Sequence, residues 1–278
     1  MRSWLTALVV FALCTAAVHA DVTIVTTTTI EGGMAAMGGQ SMSPKITKRI
    51  KGLKSRDDID AQMVQMVTIA DLEGKRVIVL RPDQKTAQII TSVPAGDAAK
   101  NAPAPAGPQP TESSINPTGK SQVIDGIKCD EYTFSTAISL SEMNVGGGTM
   151  PPEAAEMMKG VRMLLKGSIW VAKDMPGAAD YMAFQKAVAG AGDLGSVISG
   201  ASGMGMPGLD KMMKSIANVN GMAYLTEMTM TIEGTGQMAE MMQQMGPMKI
   251  TTKVTSITTD PIADDVFDIP AGYTIVKQ

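Results

Sequence analysis

The sequence predicts an α+β fold: one largely antiparallel β-sheet with short helices covering one of its faces. Three observations point there. Short β-branched runs recur along the chain, joined by turns of a few residues, which is the pattern of a meander. Residues 221–233 alternate apolar and polar side chains, as a strand with one wet face does. The segments with helical spacing are short and methionine-bearing, so they suit a layer laid over the sheet.

The elements follow in order. Residues 21–30, DVTIVTTTTI, place Val22, Ile24 and Ile30 on one side and open the sheet. A glycine- and methionine-rich loop spans 31–43, and 45–54 form a second strand with a charged face. Residues 63–70 alternate and end at Asp71-Leu72-Glu73-Gly74. A strand at 76–80, a turn at Arg81-Pro82-Asp83-Gln84-Lys85 and a return at 87–91 follow. Residues 94–118 hold six of the 15 prolines and predict a mobile excursion from an otherwise single domain over 21–278. Strand character resumes at 122–127 and 129–136, with Gly126 between them. Pro152 starts a helix carried to about Gly160, and a strand then runs through Ile169-Trp170-Val171. A single helix to Leu165 is the alternative. Asp174 and Met175-Pro176 begin another helix, with Ala179, Met182, Ala183 and Lys186 on one face. A Gly/Ser-rich loop covers 190–207 and a short helix 209–219. In 221–233, Met222, Tyr224, Met228, Met230 and Ile232 face one way, while Glu227, Thr229, Thr231 and Glu233 face the other. Residues 237–244 form a small helix or lid, 249–259 a strand, and 266–276 a last docked strand.

The first twenty residues, MRSWLTALVVFALCTAAVHA, have the layout of a secretory signal: Arg2, a short apolar run, then Val18-His19-Ala20 at the exit. The run is too short to be a good membrane span. A lipoprotein signal at Cys14 fits badly, because Leu13 is bulky where a small residue is wanted. Cleavage after Ala20 sends the protein to the periplasm or outside the cell. It also removes His19, the single histidine, and leaves Cys129 without a disulfide partner. The mature chain is mildly acidic, since Arg2 is lost from 24 basic residues set against 27 acidic ones. With no basic run, a nucleic-acid partner is not expected, and contact with a membrane is at most peripheral.

The inventory excludes most catalytic arrangements. Without histidine there is no Ser-His-Asp or Cys-His set, and no G-x-S-x-G elbow is present. Zinc sites, which draw on His and Cys, are excluded too. Asp57-Asp58 and Asp264-Asp265 read as solvated turn formers. Gly203-Met204-Gly205-Met206-Pro207-Gly208 matches G-x-G-x-x-G but carries a proline and follows no strand, so it reads as a loop. Cys129 lies beside Asp130 and Glu131, which raise a thiol pKa rather than activate it. The expectation is a non-catalytic protein with no cofactor.

Methionine is the unusual feature: 25 of them, against 4 Phe, 4 Tyr and 2 Trp. Three uses compete. One is ordinary core, since Met fills irregular gaps and Met238, Met241, Met242 and Met245 recur at helical spacing. Another is an adaptable cavity for acyl chains, lined by Met222, Tyr224, Met228, Met230 and Ile232 of the sheet, the four helix methionines and Trp170. The last is Cu(I) binding through thioethers such as Met204, Met206, Met212 and Met213.

Three stretches together carry a resemblance. They are Gly126-Ile127-Lys128-Cys129-Asp130-Glu131-Tyr132, Ile169-Trp170-Val171-Ala172-Lys173-Asp174-Met175-Pro176-Gly177, and Phe267-Asp268-Ile269-Pro270-Ala271-Gly272-Tyr273. The chain resembles an uncharacterised family of exported bacterial proteins, related in pattern to periplasmic lipoprotein carriers of the LolA/LppX type. The resemblance implies a curved antiparallel half-barrel whose concave face is covered by helices. It also implies a hydrophobic cavity that holds a lipid, acyl chain or lipoprotein. The alternatives are a methionine-rich Cu(I)-binding protein and a structural or regulatory envelope protein with no small ligand.

Overall fold

The computed structural model describes residues 21–33, 43–61, 64–91, 112–142, 152–192, 194–195, 197–198, 219 and 221–276. The strands are β1 Val22–Gly32, β2 Lys45–Lys51, β3 Lys54–Ala61, β4 Val64–Asp71, β5 Arg76–Arg81, β6 Thr86–Thr91, β7 Glu112–Ile124, β8 Ile127–Ser139, β9 Arg162–Ala172, β10 Met222–Glu233, β11 Met248–Thr258 and β12 Thr274–Val276. The helices are α1 Pro152–Met157, α2 Ala178–Gly190 and α3 Gln237–Gln244. Among the described residues, no helix is long and apolar enough to cross a membrane.

All twelve strands join one sheet, in the order β12-β6-β5-β4-β3-β2-β1-β11-β10-β9-β8-β7. Neighbours are antiparallel except β12, which runs parallel to β6 and makes the sheet mixed. The expected α+β class and mostly antiparallel sheet are therefore present. The half-barrel is not: β12 and β7 lie at opposite ends of the order and the sheet stays open. It does curl. Asp125, in the β7–β8 turn, reaches Tyr224 on β10 and Lys253 on β11. At about 4.8 Å per strand, β8 and β11 of a flat sheet stand roughly 14 Å apart, farther than an aspartate and a lysine span together. Register shifts between Val25 and Thr26, Ala223 and Leu225, and Pro117 and Ser121 add the bend, because a bulge increases local twist.

The hairpins follow local rules. Asp125 (φ 51) and Gly126 (φ 84) both take positive φ, which is the two-residue turn whose twist matches the flanking strands. β2 and β3 meet about Gly52-Leu53, so the basic arm KITKRIK lies against the acidic arm KSRDDIDA. This corrects the single charged strand expected over 45–54. It also corrects Asp57-Asp58, which lie in β3 rather than in a loop. Asp264 and Asp265 do lie in a turn, of 3-10 form, with Asp264 paired to Lys51 at 2.7 Å. Glu112 to Thr118, within the expected excursion, belong to β7, while residues 94–111 lie outside the described residues. Pro117 fits there because β7 is an edge strand and the register shifts beside it.

Among the described residues, three apolar centres hold the sheet. In the first, Val22, Ile24, Ile50, Ala70 and Val77 pack with Phe184 and Val188 of α2 and with Leu194 and Ile198 beyond it. The face α2 buries is Ala178, Phe184 and Val188, not the expected Ala179, Met182, Ala183 and Lys186. A single ring such as Phe184 contributes roughly 1.5–3 kcal/mol on burial, more than two exposed alanines can offer. In the second centre, Phe134, Ile138, Leu165, Met228 and Ile250 pack with Ala239 of α3. The third places Ile69, Ile78 and Leu80 against Ile262 and Phe267 of the C-terminal segment.

That segment is not the long strand expected over 266–276; only Thr274–Val276 pairs. The rest is pinned across the sheet by main-chain contacts. Lys51 Nζ donates to the Ile262 carbonyl (2.6 Å), Arg56 Nη1 to the Val266 carbonyl (3.0 Å), and the Ile262 N–H to Asp21 Oδ2 (2.6 Å). Phe267, Ile269 and Tyr273 still share one apolar centre, as their sequence spacing suggests. After α1, β9 is already extended at Arg162, which removes the alternative of a helix to Leu165.

Candidate functional site

The expected cavity residues do not line one surface. Met222 pairs with Ala172 and Ala223 with Val171, but Leu225 pairs with Trp170, so Tyr224 is an extra residue in β10. From there Met228 pairs with Gly167, Met230 with Leu165 and Ile232 with Met163. Alternate residues of β9 point to opposite faces. Met222, beside Ala172, therefore faces away from Met228, Met230 and Ile232. A one-residue insertion moves every later side chain to the other face. Met222 and Tyr224 are buried, and Trp170 half-buried, in the centre that contains α2.

The second group forms a methionine layer beneath α3. Buried Met163 and Met228 lie in one apolar cluster with half-buried Met158, Met230, Met242 and Met248. They come from five places: the turn after α1, β9, β10, α3 and β11. Ile232 is half-buried against the same cluster. α3 is seated by Ala239, which is buried, and Gln243 Nε2 donates to the Gly234 carbonyl at 3.1 Å. Met238 and Met245 are half-buried, and Met241 points to water. Under the layer, Gly167 leaves room for its neighbours. A Cβ there would stand 2.8 Å from Met228 Cα and 2.9 Å from the Phe134 ring. Six flexible thioethers over a glycine and a phenyl ring make a surface that repacks at small cost.

Met204, Met206, Met212 and Met213, with the glycine motif at 203–208, lie outside the described residues, as do residues 1–20. No group of three or more His, Cys, Asp or Glu side chains is placed to hold a metal among the described residues.

Two polar arrangements escape the sequence reading. In the first, the Tyr224 hydroxyl donates to Asp125 Oδ2 (2.7 Å), and Lys253 Nζ reaches the same oxygen (2.7 Å). The Lys253 ammonium and the tyrosine hydroxyl hold Asp125 below the usual carboxylate range. Burial, and then Asp125, push Tyr224 up to about 12. Burial also raises the Cys129 thiol, with Asp130 and Asp125 adding to it. Each shift deepens the state the group already holds at neutral pH, so none is poised as nucleophile or base. In the second, Lys48 and Asp57 pair at 2.7 Å, with Asp57 only 2% exposed. Buried Ser55 and Thr68 lie on the strands that flank this pair or carry it. The signal for the second was the mirror of charge about Gly52-Leu53. The first had none, because Asp125 and Tyr224 stand 99 residues apart.

No family model matches the sequence, and no curated protein matches it. Among solved structures, the chain is similar to an uncharacterized conserved protein from Thermus thermophilus. The identity is 5%, the coverage 94% of this chain and 92% of that one, and the TM-score 0.40. Neither fold nor function carries over at that level.

Proposed function

We propose that this protein is exported after cleavage near Ala20 and holds the acyl chain of a lipid or lipoprotein between the sheet and α3, as a carrier and not a catalyst. The observation that carries this reading is the methionine layer: six methionines converge in one cluster, four of them only half-buried. A core used for stability alone favours branched side chains with fixed rotamers. A layer of thioethers under a short helix suits an unbranched, variable guest. α3 spans eight residues and seats chiefly through Ala239, so lifting it exposes little buried surface. The curl of the strands around β8–β11 supports the same reading, as does the resemblance of the three sequence stretches to LolA/LppX-type carriers.

The test is retention. Met230→Asp/Met242→Asp places charges at two half-buried positions and leaves buried Met228 in place. Lipid copurifying with the wild type is expected to be lost from this variant while its circular dichroism is unchanged. A folded double variant that keeps its lipid overturns the site.

A further inference from the structure

We propose that Met157 and Met241 are oxidant-accepting sites, and that oxidation reaching Met242 releases α3 from the sheet. The observations are of exposure and packing. Among the described residues the exposed large apolar side chains are Leu53, Val123, Met157, Met241, Ile275 and Val276. Only the two methionines carry an oxidisable atom, and they are 62% and 56% exposed. Each is followed by a methionine, Met158 or Met242, that is half-buried in the layer under α3. In a helix, successive residues are about 100° apart, so Met241 meets water while Met242 turns to the sheet. The competing thiol, Cys129, is fully buried. Oxidant arriving at this end of the molecule therefore meets a thioether first, with a second one behind it against the apolar cluster.

The chemistry is an oxygen-atom transfer from a two-electron oxidant such as hydrogen peroxide. The sulfur lone pair attacks one peroxide oxygen, the O–O bond breaks, the S–O bond forms and water leaves. Sulfur is oxidised to the sulfoxide by two electrons and the peroxide is reduced by two. A sulfoxide on Met241 stays hydrated. One on Met242 sets a strong dipole against the methionine, isoleucine and leucine side chains of the layer, which offer it no hydrogen bond. α3 then leaves β10. The consequence, an opened layer, rests on the acyl-chain reading; the oxidation itself does not.

The experiment uses the ligand-free, folded chain treated with hydrogen peroxide. Peptide mass mapping is expected to show Met157 and Met241 gaining one oxygen several-fold faster than Met163 and Met228, with Met158 and Met242 between. Amide exchange over 237–244 is expected to quicken several-fold once Met242 is oxidised. Met242→Leu conserves volume; it should still oxidise at Met241 and keep α3 protected. Equal oxidation rates at exposed and buried methionines overturn the sites. Unchanged protection of α3 with Met242 oxidised overturns the release. Either failure leaves lipid retention, measured separately on the Asp variant, to stand or fall alone.

Discussion

Gly167 shows how much one residue can decide. It pairs with Phe134 on one side and Met228 on the other, and the Phe134 ring covers the space its missing side chain leaves. A Cβ there would also collide with the Glu227 carbonyl oxygen. Gly167→Ala is therefore expected to lower stability by roughly 1–3 kcal/mol, the usual range for overpacking, read as a lower urea midpoint. An unchanged midpoint would mean that Phe134 is not seated on this glycine. Tyr224 makes a second prediction at this scale. Its folded pKa lies above the ordinary 10.0, at about 12, so between those values the folded state keeps a proton that the unfolded state has lost. Its contribution is complete below pH 10 and is lost as pH rises to 12. Stability measured at stepped pH should show wild type and Tyr224→Phe drawing together across that window. A constant difference would contradict the raised pKa that burial and Asp125 give Tyr224.

Among the elements, sequence pattern located most strands and missed how some of them were used. The β-branched run at β1, the short helix α3 and the strand β11 are legible because each obeys a single period. β3 was hidden, since KSRDDIDA has almost no apolar residues; its side chains meet β2 through charge, in Arg49–Asp58 and Lys48–Asp57. In β10 the expected single face for Met222, Tyr224, Met228, Met230 and Ile232 does not hold, because a bulge at Tyr224 reverses the phase and no residue there signals a bulge. The cavity residues were thus legible as types and not as one surface. α2 was placed correctly, but its inward face was not. Ala179, Met182, Ala183 and Lys186 fit a helical stripe, yet the larger ring of Phe184 takes the core. This yields a prediction. Phe184→Ala should cost roughly 3–5 kcal/mol, whereas Lys186→Ala, on the exposed side, should stay within about 0.5 kcal/mol. Thermal melts of the two variants decide it, and similar losses would contradict the orientation of α2.

On the scale of the whole molecule, one open sheet carries both α2 and α3 among the described residues. α2 covers a centre that runs from β5 through β1 to β8 and includes Met222 and Tyr224, while α3 covers the methionine layer on the opposite face of β8 to β11. The two edges are blunted against unwanted pairing: β12 has three residues, and β7 carries Pro117 and a register shift. The polar contacts around Asp125 hold the curl of β8 to β11, and those of Lys51 and Arg56 pin the C-terminal segment to the other half of the sheet. One face packed under α2 and a thioether-bearing face under α3 are the division expected of a rigid frame and an adaptable binding layer. Native mass spectrometry of the mature protein, purified gently from its own envelope, tests that division most directly. The account predicts an added mass of lipid size, lost in Met230→Asp/Met242→Asp. A bare polypeptide from the wild type would contradict it and leave the methionines as core packing alone.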